Sequence, residues 1–532
     1  MKPLIPPMPR LVMLPLALTA LALVSPTSAH ADRLPWETSS DDQADPTESD
    51  KPVEPDAPDL EPDPRDTLPD SLDEDEGEPR PRNALPADGQ ALRPTLPYID
   101  RDLVQPRSFP AGRSAAQVSI ASIDDDVFLE LAIGTVFIFD DWRIAPRLPL
   151  RLRLVDESPE TDAIIREEDW DEVSDWARVL AFVQYGRWGD PLVFRYGELT
   201  GVTLGHGALV NRYFNTIDID HYQGGVYFYG DLDFVGGEAI LDDVFDPEVL
   251  VGRVFLRPFV GAKDLALPLR GFKVALSLGA DFFAPVAVDV GDGGLFSTPE
   301  NNPVILADRF LPMFSLDFEL PVLSTPHLDI VPYLDFASLE LDTFGLHFGA
   351  FFNARFSAQS SLRLRLEYRF IGEDHVPGYI SPFYEIERYA WLGGEPKLAA
   401  LDRLEADESL GDAHHGFHIE TDVQIAGLFN WTFLFTSNGR DRENDLLTRL
   451  RLPHLGPLRL TLFFARLGFS GIDDLFAADR TLGGVSARLT FGTFFVTGRI
   501  LNEWRLRPGD DGRTRFETTL NWNLGGGVLI NL

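Results

Sequence analysis

Three short stretches of this 532-residue chain carry residue types that can do chemistry. In FTSNGRDREN (435–444) the run Ser437-Asn438-Gly439-Arg440 presents a serine among polar neighbours. A serine hydroxyl attacks an acyl group only when a general base activates it, and this stretch holds no histidine. It reads as a turn, because Asn and Gly tolerate positive φ. In IDIDHY (217–222), Asp218, Asp220 and His221 could activate water if a second acidic pair faced them. The sequence names no such pair, so the stretch reads as loop polarity. DAHHGFHIE (412–420) offers Asp412, His414, His415 and His418. On a helix His414 and His418 would share a face at ligand spacing, but alternation begins here, and on a strand they point the same way well apart. These readings assign no catalytic residue, no metal ligand set and no cofactor.

The elements that position these residues are strands. From about Ala115 to Leu532 the chain repeats alternating runs, short turns and longer acidic loops. RIAPRLPLRLRL (143–154) puts Ile144, Leu148, Leu150, Leu152 and Leu154 on one face and Arg143, Arg147, Arg151 and Arg153 on the other. SLRLRLEYRF (361–370) repeats the pattern, and RFETTLNWNLGGGVLINL (515–532) carries it to the last residue. The apolar faces are nearly free of charge, and the runs are long enough to cross a bilayer when tilted. Only 163–176 and 396–411 could hold short helices, both in loops. The expected fold is all-β: a transmembrane antiparallel β-barrel of about 18 strands, with 16–20 allowed. The latitude arises because 222–241 and 416–436 each divide as one strand or two.

The polar faces would line the lumen. Candidates are Arg147, Arg151, Arg153, Arg363, Arg365, Arg369 and Arg499, together with Asp317, Glu319, Glu420, Asp422, Glu503 and Glu517. Arginine forks can pair with carboxylates on neighbouring strands and stiffen the wall, or set a transverse field across a water-filled pore. GELTGVTLGHGALVNRYFN (197–215) breaks the alternation with Gly197, Gly201, Gly205 and Gly207. It is either a surface hairpin or a segment folded into the lumen, with Gly201, Gly205, His206, Gly207 and Arg212 as constriction candidates.

Residues 1–31 read as a secretory signal: Lys2 and Arg10 precede the apolar run Leu11–Val24, and Ala29-His30-Ala31 offers a cleavage site. Residues 32–92 read as a disordered, acidic, proline-rich spacer; Asp32 to Arg82 alone holds 19 acidic and 5 basic residues. Residues 93–114 lead into the barrel at 115–532. Cysteine is absent, which excludes disulfides and thiolate metal sites. The net charge of −38 argues against nucleic-acid binding.

Signal, alternating strands and closing strand together make the chain resemble a Gram-negative outer-membrane β-barrel protein of porin-like form. That resemblance covers about Ala115 to Leu532. It implies outer-membrane lipid around the wall, the barrel-assembly machinery as a partner in biogenesis, and a periplasmic acidic segment. The terminal strand is similar to the signal that machinery reads, though Leu532 stands where an aromatic residue is usual. Ser437-Asn438-Gly439-Arg440 resembles the active-site run of outer-membrane phospholipase A, but Phe435 occupies the position of that family's histidine. IDIDHY resembles elements of omptin-type outer-membrane proteases. The expected function is a channel passing small polar solutes, cations preferentially because the loops are acidic. Two alternatives stay open: a loop-plugged barrel with a structural or surface-interaction role, and a barrel enzyme of phospholipase or protease type.

Overall fold

The computed structural model describes residues 113–531, except 124–125, 157–162, 187–189, 216–221, 292–293, 296–302, 342, 358–359, 373–374, 392–394, 407–412, 426–427, 439–443, 476–479 and 509–513. The signal, the acidic segment, Asp218, Asp220, His221, Asp412, Gly439 and Arg440 lie outside the described residues, as do the side chains of Glu503 and Glu517.

Twenty strands among the described residues form one closed antiparallel wall. They are β1 Arg113–Ile123, β2 Asp126–Thr135, β3 Trp142–Val155, β4 Leu180–Tyr185 and β5 Leu192–Gly197. Next come β6 Gly225–Asp231, β7 Val235–Leu241, β8 Val249–Leu256, β9 Lys273–Val288 and β10 Ile305–Glu319. Then follow β11 Leu328–Leu339, β12 Gly345–Ser357, β13 Ser360–Ile371, β14 His414–Ile425 and β15 Phe429–Ser437. The last five are β16 Asn444–Leu455, β17 Leu458–Phe469, β18 Thr481–Phe491, β19 Phe494–Pro508 and β20 Thr514–Asn531. Each pairs with its neighbour in sequence, and β1 pairs with β20 from Arg113↔Asn531 to Ser122↔Trp522, which leaves no open edge. The count is twenty rather than about 18. Both ambiguous runs are cut in two: 222–241 at the turn between Asp231 and Val235, and 416–436 between Ile425 and Phe429.

Wall chemistry is inverted relative to a soluble protein. On β13, Leu366 and Tyr368 are 41% and 52% exposed, whereas Arg365, Glu367 and Arg369 are buried. The same alternation puts Val496 and Ile500 of β19 outside and Phe495 and Leu501 inside. No helix among the described residues is long and apolar enough to cross a membrane; strands do the crossing.

The strands are unequal. β4 to β8 have 6, 6, 7, 7 and 8 residues, against 12 to 16 in β9 to β14. Beside this low sector the β3–β4 loop folds back: Arg153 donates its backbone N–H to Ile164, and Arg166 donates to Arg151. That loop holds two 3-10 turns, Glu167–Asp169 and Ser174–Val179. The β13–β14 connection holds two helices, α1 Tyr384–Glu387 and α2 Lys397–Ala406.

Candidate functional site

Two connections from the long-loop end enter the lumen. The first, between β5 and β6, closes on itself through the ladder of Thr200–Val202 with Tyr213–Phe214. Leu199, Leu204, Leu209, Val210 and Tyr213 within it are all buried. The second runs through Val376, Tyr379 and Ile380 into α1. The two pair with each other: Gly378 and Ile380 donate to the carbonyls of Ala208 and Leu209 at 2.8 and 3.0 Å, and Asn211 donates to Ile380 at 2.9 Å. Together with Val251, Ala275, Leu311 and Met313 of the wall they make one apolar cluster inside the barrel. Of the two readings of 197–215, the structure has the lumen-folded one.

Glycine makes that path possible. Gly197, Gly201, Gly205 and Gly207 all have positive φ. A Cβ on Gly205 would lie 2.8 Å from the Arg253 Nε, and one on Gly207 2.8 Å from the Asn211 Oδ1. The turn they form carries His206 to the wall, where its ring stacks on Tyr333 with centroids 4.0 Å apart. Arg365 donates to the His206 carbonyl.

Charged groups converge on that tip. Nε2 of His206 lies 3.1 Å from Glu319, and Nδ1 lies 3.5 Å from Asp335 and 3.8 Å from Asp317. Arg253 grips Asp317 and also meets Glu238 at 2.9 Å; Lys273 pairs with Glu319. Burial opposes a charged His206 ring, but Asp317, Asp335 and Glu319 outweigh it and push its pKa up to about 9. Arg212, at φ 56°, pairs with Glu420 at 2.6 Å.

Nearer the long-loop end the inserts carry acids. Glu385 of α1 accepts from the Tyr213 hydroxyl and, at 3.3 Å, from the Gln223 amide. Burial, with the Asp242 charge beside it, pushes its pKa up to about 8. Burial likewise pushes Asp242 up to about 7. Tyr384 donates to Asp281, and Arg388 pairs with Glu248.

The remaining described lumen candidates meet partners across strands, along their own strand or in a loop. Arg151 faces Glu130 of β2 and bonds it at 3.1 Å, while Arg153 reaches Asp126 at 3.1 Å and Arg147 reaches Glu198 at 2.6 Å. Arg363 stands opposite Asp422, and Arg365 opposite Glu420. Arg365 and Arg369 both pair with Glu367. Arg499 is half-buried on β19, opposite Ser486.

The histidines of 412–420 do not assemble. His414 and His418 face inward, and His418 Nδ1 lies 2.8 Å from the Thr436 hydroxyl. His415 faces outward, with Nδ1 2.6 Å from the Tyr368 hydroxyl. Ser437 ends β15 on the outward face with Phe435. The acidic β3–β4 loop is partly neutralised: Asp169 meets Arg166 and Arg178 at 3.1 and 2.8 Å, and Asp175 pairs with Arg178. Arg253, Lys273 and Asp335 were not singled out from the sequence. Their strands alternate, but only the inserted loop shows which inward residues meet.

No family model matches the chain, and no curated protein matches it. Among solved structures it is similar to the ferric enterobactin receptor of Pseudomonas aeruginosa, at 9% identity and TM-score 0.32, covering 78% of this chain and 80% of that one. It is also similar to the Rhodopseudomonas blastica porin, at 9% identity and TM-score 0.23 over 79% and 99% of the chains. A third is Wzi of Escherichia coli, a carbohydrate-binding outer-membrane barrel involved in group 1 capsule assembly, at 9% and 0.30 over 79% and 84%. Likeness of this degree carries no argument about what is bound or passed. The closed wall, apolar outside and charged inside, is that of a transmembrane β-barrel protein.

Proposed function

We propose that the protein is an outer-membrane channel for small polar solutes, narrowed by its own two inserts. The carrying observation is the polar inner wall of β16 to β19. Arg451, Arg459, Ser486, Arg488, Thr497 and Arg499 share the inward face there and are only half-buried. A lumen of this strand number is wide enough for water unless it is filled. Acids at the long-loop end favour cations, and the arginines deeper in oppose them, so the preference is modest.

A second reading has its own observation. The apolar cluster joining both inserts to the wall is what a sealed barrel with a structural or surface-interaction role would have. Conductance of the folded protein in a planar bilayer separates the two. A channel gives steps that enlarge when 199–214 is replaced by a short turn, and a weakly cation-selective reversal potential that falls as salt rises. Silence from folded wild type, with steps only after that replacement, favours the sealed barrel.

A further inference from the structure

We propose that His206, Asp317 and Asp335 form a divalent-cation site that clips the tip of the β5–β6 insert to the barrel wall. One nitrogen and one oxygen from each carboxylate lie within 4.8 Å of one another, all on buried residues. The two separations from the imidazole are near those of ligands. A tetrahedral ion with bonds of about 2.1 Å holds its donor atoms about 3.4 Å apart. Nδ1 of His206 stands 3.5 Å from the Asp335 Oδ2 and 3.8 Å from the Asp317 Oδ1, beyond hydrogen-bond length. That Nδ1 is buried and has no partner at ordinary hydrogen-bond length.

The surrounding shell is built for the same role. Nε2 of His206 faces Glu319 at 3.1 Å, the carboxylate–histidine contact that fixes the tautomer and leaves Nδ1 as donor. Ser315 donates to Oδ1 of Asp335 at 2.7 Å, which turns Oδ2 toward the imidazole. Arg253 orients Asp317. Glu238, Asp317, Glu319 and Asp335 face Arg253 and Lys273 here, and a bound divalent ion would take the place of the proton on the His206 ring. Imidazole plus two carboxylates suits Zn²⁺ or a neighbouring first-row ion. A site joining one insert residue to two wall residues ties the loop's position to ion occupancy.

The test is Zn²⁺ titration of chelator-stripped, detergent-folded barrel by calorimetry, which does not depend on conductance. We expect about one ion per chain, with His206→Gln and Asp335→Asn each weakening binding at least tenfold. His415→Gln, on the outer face, should bind as wild type does. Heat-modifiable migration checks that each variant is folded. Should either fail to fold, Co²⁺-loaded wild type provides the reading: visible bands of a nitrogen-and-carboxylate site that Zn²⁺ abolishes. Absence of stoichiometric binding by wild type overturns the proposal and leaves an imidazolium at the tip. So does unchanged affinity in both folded variants, which would put the ion elsewhere. A silent bilayer with intact Zn²⁺ binding would count against the channel alone.

Discussion

Arg253 closes on both oxygens of Asp317, with Nε 2.8 Å from Oδ2 and Nη2 2.7 Å from Oδ1, reaching past the strand β9 that separates their own. Both groups are buried, so removing one leaves the other charged without its partner. Arg253→Gln should cost about 3–5 kcal/mol. Arg403→Gln, which breaks an exposed pair with Glu395 at 2.6 Å, should cost no more than about 1 kcal/mol. Urea midpoints in lipid vesicles measure both; equal losses would place the Arg253 pair in water.

Two glycines of similar backbone separate strain from crowding. Gly205 has φ 57° and Gly456 φ 67°. Around Gly456 nothing lies within 4 Å of a built Cβ, whereas Gly205 meets Arg253. Gly456→Ala should cost about 1–2 kcal/mol from left-handed backbone alone. Gly205→Ala should cost more and expose Arg212 to trypsin, while Gly456→Ala leaves the insert uncut.

The raised pKa of Glu385 gives the inserts a pH dependence. Folded, this carboxyl keeps its proton to about pH 8; its ordinary value is 4.5. Between those values the unfolded chain has lost a proton that the folded chain retains. The stability it lends is therefore full below about pH 4.5 and drains as pH rises through 8. Proteolysis of the α1 segment from pH 6 to 9 should accelerate with pH in the wild type. Glu385→Gln, uncharged throughout, should flatten that profile.

The outward face of β13 is open to a direct test. Leu366→Arg should weaken folding into vesicles by about 2–4 kcal/mol near the bilayer midplane. An unchanged midpoint would mean that this face does not meet lipid.

The wall was legible because its period is local. Arg365 and Leu366 announce opposite faces within two residues, and the same alternation holds around the sheet. The cut at 232–234 was not legible: Leu232 and Phe234 continue the alternation through the turn, and only Asp233, at φ 65°, breaks the backbone. The tip of the insert was half legible. Gly205 and Gly207 signalled unusual backbone, yet nothing near His206 names Asp317, which lies 111 positions away. Pairings that depend on a loop entering a lumen have no period. In the acidic loop, likewise, charge alone does not announce that Asp169 and Asp175 are buried against Arg178.

The low sector from β4 to β8 has a consequence for the surrounding bilayer. A strand of six residues, tilted as barrel strands are, rises about 15 Å, against an apolar band of about 25 Å. Above it stand Ile164, Val173, Trp176, Val244 and Phe245, all exposed. On this flank loop side chains present apolar surface beyond the strand ends, while β9 to β14 present it by strand alone. The molecule therefore has two unlike flanks in the plane of the membrane, one built of strand and the other completed by loops.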